Sequence, residues 1–259
     1  MENDINGKPK EVNETTSKVV NEKKEEEEEK DKDNYIIEII GEQYKEYDFS
    51  YKIIVIGNSG VGKSCLSLKS TKGIFEEEFI STIGFEFFSF FLKINNQIIK
   101  LQIWDTCGQE VYRSLISNFY RNSSVAILVY AINDEKSFED LDVWNKQLKN
   151  HSSPDCKVFL IGNKADLENE RKITYEQGKT CKENNKFDLF METSAKTGLN
   201  AQKVFVTAAK ILYKQNLKYM SKEEQEALQG NEQKVFKSIS KNIELNNIGE
   251  DISNNDGCC

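Results

Sequence analysis

The strongest constraint on this chain is local. A β-branched run, Lys52-Ile53-Ile54-Val55-Ile56, passes directly into Gly57-Asn58-Ser59-Gly60-Val61-Gly62-Lys63-Ser64. A buried strand, then G-x-x-x-x-G-K-[ST], then a helix is the context in which a loop turns its backbone N–H groups inward around phosphate oxygens. The glycines permit that curl, and the helix start adds unpaired N–H groups and a positive dipole end. Ser59, Gly60, Val61, Gly62, Lys63, Ser64 and Cys65 are therefore expected to line a nucleotide's phosphates. Lys63 would place a point charge on the β- and γ-phosphates, and Ser64 would offer a hydroxyl to Mg2+.

The rest of the chain repeats the alternation. Apolar strands are expected at 85–94 and 98–104, joined by a turn at Asn95-Asn96, and again at 125–132, 158–161 and 189–191. Helices are expected from Gly62 onward and at 135–149, 174–184 and 201–215. This order predicts an α/β domain with a largely parallel six-stranded sheet, helices on both faces and a ligand beyond the carboxyl ends of the strands. The domain is expected over 51–217, between an acidic, mostly disordered extension at 1–50 and a variable tail at 218–259. Every residue from 22 to 33 is charged, whereas the Ile-rich patch at 36–40 suits an added strand or helix turn. Ser221 and Glu224 have the spacing to cap one more short helix.

Composition narrows the function. With 30% charged residues and a mean hydropathy of −0.62, part of the 259-residue chain is expected to be unstructured. A net charge of −8 argues against nucleic-acid binding and against attachment to anionic lipid by charge alone. The start, Met1-Glu2-Asn3-Asp4, has neither a basic nor an apolar signal segment, so a cytosolic chain is expected. Cys65, Cys107, Cys156 and Cys181 lack metal-ligand spacing and suit a reduced interior. His151 is the single histidine, which excludes a multi-histidine metal site.

Asn163-Lys164-Ala165-Asp166 separates guanine from adenine. A carboxylate at Asp166 can accept hydrogen bonds from the N1–H and N2 amine of guanine, which adenine does not offer. Asn163 is expected to read N7, with the Lys164 stem lying over the base. Ser194-Ala195-Lys196 follows the last strand at the same rim, where the Ala195 N–H would reach guanine O6. In Asp105-Thr106-Cys107-Gly108-Gln109, Asp105 would hold the metal through water, Gly108 would contact the γ-phosphate and Gln109 would orient the attacking water. Two rivals compete with this reading. A P-loop kinase would leave 163–166 without a role and has no visible acceptor insertion. A nucleotide-binding regulatory module without significant hydrolysis would be expected to lack Gln109, Thr82 or Lys63, and all three are present.

Over about residues 50–215 the chain resembles a Rab-type small GTPase of the Ras superfamily, a P-loop NTPase with a small G-domain. Ser81-Thr82-Ile83-Gly84 matches that family's switch I, with the Mg2+-binding Thr82 placed 18 positions after Ser64. Phe75 matches the aromatic that stands edge-on to guanine, and the stretch from Lys100 to Thr106 is similar to one typical of Rabs. Phe87, Trp104 and Phe119 fall on the family's aromatic effector triad, with Ile83 beside them on the effector surface. Cys107 replaces the usual alanine, and Val111-Tyr112 replaces an Arg-Phe pair that partners read. The terminal Cys258-Cys259 resembles the double-cysteine ending that receives two geranylgeranyl groups, enough for stable anchoring.

The resemblance implies a monomeric switch, active with GTP and inactive with GDP, that hydrolyses GTP slowly with Mg2+ and recruits effectors in vesicle trafficking. Exchange factors, GTPase-activating proteins and a GDP-dissociation inhibitor or escort would be its partners. It would cycle between cytosol and the cytoplasmic face of endomembranes.

Overall fold

A computed structural model describes residues 35–40, 46–77, 82, 84–107 and 119–220. The chain divides into two units, Met1–Ile36 and Ile37–Cys259, and of the first only residues 35 and 36 are described. Among its described residues the second has seven strands: β1 (Ile37–Ile39), β2 (Phe49–Ile56), β3 (Phe85–Ile94), β4 (Gln97–Thr106), β5 (Val125–Ala131), β6 (Lys157–Asn163) and β7 (Leu189–Glu192). They lie in the order β1-β3-β4-β2-β5-β6-β7, with β1–β3 and β3–β4 antiparallel and every other pair parallel. Every residue of β5 is buried, as a central strand covered on both faces requires. Asn95 takes a left-handed φ of 54° in the β3–β4 turn, a conformation asparagine tolerates.

Among the described residues, five α-helices flank the sheet: α1 (Lys63–Lys72), α2 (Glu135–Glu139), α3 (Leu141–His151), α4 (Tyr175–Asn185) and α5 (Ala201–Tyr219). Helix α5 buries Val204, Phe205, Ala208, Ala209, Leu212 and Tyr213, a stripe at helical spacing. A capping box starts α4: the Thr174 hydroxyl accepts from the Gln177 N–H while the Gln177 side chain accepts from the Thr174 N–H. Among the described residues no helix is long and apolar enough to cross a membrane.

The structure departs from the sequence reading at three places. The sheet has a seventh strand, because the Ile-rich patch of the extension pairs along the outer edge of β3, where backbone groups would otherwise stay open. The Ile40 N–H continues the pairing to the Phe91 carbonyl at 3.0 Å. The helix expected at 135–149 is two helices that meet at Asp140, whose N–H still closes onto Lys136. Helix α5 runs four residues past 215, to Tyr219. The acidic run at 22–33, the cap at Ser221 and Glu224, and most of the 218–259 tail lie outside the described residues.

Candidate functional site

Loops at the carboxyl ends of β2, β4, β6 and β7 meet around a cavity of about 480 Å³. Its wall includes Ser59, Gly60, Gly62, Lys63, Ser64 and Cys65 on one side, and Phe75, Lys164, Asp166, Ala195 and Lys196 on the other. One short stretch of sequence therefore faces three others that are distant from it along the chain.

The loop after β2 depends on two glycines for its shape. A Cβ at Gly57 would lie 2.1 Å from the Val129 carbonyl oxygen, so only glycine lets the loop cross β5 at that distance. At Gly62, with φ of +90°, a Cβ would lie 2.5 Å from the Asn163 amide nitrogen. Past this turn Lys63 opens α1, and its Nζ folds back to donate to the carbonyls of Gly57 (2.9 Å) and Asn58 (2.8 Å). Lys63 is only 5% exposed. Burial pushes its pKa down to about 8, against the opposing pull of Asp105. A buried ammonium beside a helix N-terminus is a site that favours an anion.

Ser64, Thr82 and Asp105 converge beside it. The Ser64 hydroxyl donates to Asp105 Oδ2 and lies 2.7 Å from Thr82 Oγ1. Asp105 is fully buried, and its Oδ1 has no hydrogen-bond partner. Burial raises the Asp105 pKa to about 7, partly offset by the Ser64 hydrogen bond and the Lys63 charge. Two hydroxyls and a carboxylate with an unsatisfied buried oxygen form an all-oxygen donor set, which suits a hard divalent cation such as Mg2+. Among the described residues no cluster of three His, Cys, Asp or Glu side chains offers a competing metal site.

At the other end of the cavity, Ser194 Oγ donates to Asp166 Oδ1 at 2.5 Å. Ser194 is itself fully buried and does not line the cavity, so it acts on the carboxylate from behind. Asn163 is engaged on all sides. Its Nδ2 donates to the carbonyls of Val61 (2.9 Å) and Gly62 (3.4 Å), while its Oδ1 accepts from Thr193 Oγ1 (3.1 Å) and the Ala195 N–H (3.3 Å). The Ala195 N–H expected to reach O6 and the Asn163 side chain expected to read N7 thus also meet each other. Asn163 ties the phosphate loop to the loops after β6 and β7. Val61 is likewise buried, facing this clamp with its carbonyl.

Several contributors carried no signal in the sequence. Glu76, Glu77, Thr106 and Leu167 also line the cavity, and Glu77 Oε1 pairs with Lys196 Nζ at 3.4 Å. Glu77 sits in a short acidic run that nothing distinguishes from a solvated surface. On the outer face of β3 and β4, Phe87 and Trp104 meet edge to face at 5.2 Å, and Trp104 meets Phe119 at 5.5 Å. Phe85, not anticipated, joins them at 4.7 Å from Phe119 and 5.4 Å from Trp104. Phe85 and Phe87 remain 49% and 45% exposed, a patch suited to a partner's surface. Ile83, Gly108, Gln109, Val111, Tyr112, Cys258 and Cys259 lie outside the described residues.

The sequence model of the Ras family matches residues 52–214. GTP-binding protein ypt2 of Schizosaccharomyces pombe is 39% identical over 173 residues, 67% of this chain and 86% of the relative. Ras-related protein RABA1b of Arabidopsis thaliana is 43% identical over 169 residues, 65% of this chain and 78% of the relative. GTP-binding protein YPT1 of Saccharomyces cerevisiae is 35% identical over 214 residues, 83% of this chain and 98% of the relative.

Proposed function

Since the chain belongs to the Ras family, as a GTP-hydrolysing small GTPase of the Rab type, we propose that it is a membrane-anchored switch of vesicle trafficking, active with GTP and inactive with GDP. The observation that carries the reading is one cavity with a buried ammonium and helix start at one end and a braced carboxylate, Asp166, at the other. That spacing of opposite charges suits the phosphates and the base edge of a guanine nucleotide.

In this reading Lys63 and the N–H groups of the phosphate loop bind the β- and γ-phosphates, and Asp166 accepts from the base. Phe75, Lys164 and Lys196 flank the base and ribose. Ser64, Thr82 and Asp105 would hold Mg2+, which when bound would offset the charge of the phosphates around the γ-phosphorus. Gln109 orients a water for in-line attack on that phosphorus, which yields GDP and inorganic phosphate. The γ-phosphate holds Thr82 and the Gly108 N–H, so both switch segments relax once it leaves. Effectors bind the GTP form through Ile83, Phe87, Trp104 and Phe119. An exchange factor, a GTPase-activating protein and a GDP-dissociation inhibitor or escort complete the cycle. Two prenyl groups on Cys258 and Cys259 hold the chain on the cytoplasmic face of endomembranes.

Single-turnover hydrolysis of GTP by the full chain tests the switch. Gln109→Leu is expected to slow it by about tenfold or more while GTP binding is retained, a typical scale for losing one positioning group. Equal rates would remove the role given to Gln109. Intact mass of the chain purified from eukaryotic membranes should show two added isoprenoids, absent in the Cys258→Ser, Cys259→Ser double variant. Unmodified thiols in the membrane-bound chain would refute the anchor.

A further inference from the structure

Asn58 lies inside the phosphate loop yet does not line the nucleotide cavity. Its side chain faces the junction of α2 and α3 instead. Asn58 Oδ1 accepts the indole N–H of Trp144 at 2.7 Å, and Asn58 Nδ2 donates to Asp140 Oδ2 at 2.8 Å. Asp140 Oδ1 in turn pairs with Lys136 at 2.8 Å. On the loop side, the Asn58 carbonyl is one of the two acceptors that hold the Lys63 ammonium.

The two anchors differ in kind. Trp144 is fully buried within the core cluster that backs the sheet, so its position is set by packing. A buried indole N–H requires an acceptor, and Asn58 supplies one. Asp140 marks the break between α2 and α3, with φ of −74° and ψ of −4°. An amide serves both anchors at once, because it accepts from the indole and donates to the carboxylate. Alanine would serve neither. Aspartate would keep the acceptor but set a second carboxylate against Asp140.

We propose that Asn58 is a positioning residue of the phosphate loop: by bridging Trp144 and Asp140 it fixes the carbonyl that holds Lys63, and so governs how long a nucleotide stays bound without touching it. This rests on the reading of Gly57–Ser64 as the phosphate-binding loop. The break in the helix at Asp140 then has a role, since it presents the carboxylate to the loop.

The test is the rate at which the full chain releases a fluorescent GDP. Asn58→Ala is expected to speed release about tenfold, the scale of one lost buried hydrogen bond and an orphaned partner. Asn58→Asp is expected to be at least as fast. The double variant Asn58→Asp, Asp140→Asn reverses donor and acceptor and is expected to return release to within about twofold of the parent chain. The indole N–H resonance of Trp144, identified by its loss in Trp144→Phe, should move in Asn58→Ala and return in the double variant. Lys136→Ala removes the exposed ion pairs to Asp140 and Glu139 while keeping the Asn58 bridge, and should leave release within about twofold. Parent-like release by Asn58→Ala, or a double variant as fast as Asn58→Asp, would overturn the proposal. Should Asn58→Ala not fold, the comparison of Asn58→Asp with the double variant still decides. A parent chain that retains no guanine nucleotide would overturn the phosphate-loop reading, and this proposal with it.

Discussion

Replacing Lys63 by alanine should weaken the binding of both GDP and GTP by roughly two to three orders of magnitude, the largest loss expected from any single substitution in the cavity. The size follows from where the ammonium sits. It is 5% exposed and held by two loop carbonyls, so it is already desolvated and oriented before any phosphate arrives. Burial has moved its pKa down to about 8, which means the site lacks enough negative charge of its own to balance it. A phosphate supplies that charge. Removing one partner of a buried, hydrogen-bonded charge pair costs about 3–5 kcal/mol, because the other partner is left desolvated and unpaired. The alanine variant also leaves the Gly57 and Asn58 carbonyls without their donor, so the loop itself should loosen. Equilibrium competition against a fluorescent GDP reads the loss. An affinity within threefold of the parent chain would mean that Lys63 braces the loop and does not bind phosphate.

Asp166→Asn should remove most of the preference for guanine while leaving the phosphate end untouched. The change is nearly isosteric, and the Ser194 hydroxyl can still donate to the remaining carbonyl oxygen. What changes is the face presented to the base. Guanine offers two donors there, and an asparagine amide opposes one of them with a donor of its own. Two disturbed hydrogen bonds at about 1–3 kcal/mol each put the loss for GDP at roughly a hundredfold or more. ADP never made those bonds, so its weak affinity should move little. The ratio of the two affinities is therefore the readout, and it cancels any general loosening of the cavity. A ratio unchanged by the substitution would place the base elsewhere.

Lys63 and Asp166 were legible because each belongs to a contiguous motif following a buried strand. The phosphate loop and the stretch from Asn163 to Asp166 can be read as such because each forms one loop whose residue types answer to one ligand. Strands β2, β5 and β6 were legible for a similar reason: a strand covered on both faces must be apolar without interruption, and few other structures need that. The parts that stayed hidden depend on pairs far apart along the chain. Asn58 and Trp144 are 86 positions apart, and neither residue type by itself signals a bridge. The break at Asp140 leaves the apolar spacing of the helix intact, so periodicity alone joins α2 to α3. Strand β1 has only three residues, too few for an alternation to declare itself, and its pairing depends on β3 having an open edge. Asn163 was legible as part of the motif after β6, but its clamp on Val61 and Gly62 depends on a turn that brings two loops within 2.9 Å.

The same distinction governs the aromatic patch. Phe87, Trp104 and Phe119 were expected together, yet the register of β3 against β4 decides their contacts. Phe87 lies opposite Trp104, and Phe85 lies opposite Thr106 on the same face two residues earlier. Alternation in a strand thus adds Phe85 to the patch automatically. Its half-exposed ring enlarges the apolar surface formed with Trp104 and Phe119.

Calorimetric titration of the full chain, freed of nucleotide, with GDP and with ADP in the presence of Mg2+ tests whether the cavity is built for guanine. A site built around the Asp166 carboxylate should bind GDP at least about a thousandfold more tightly, as sites do that hydrogen-bond a group the competitor lacks. Equal affinities for the two nucleotides would contradict the assignment of this cavity to guanine.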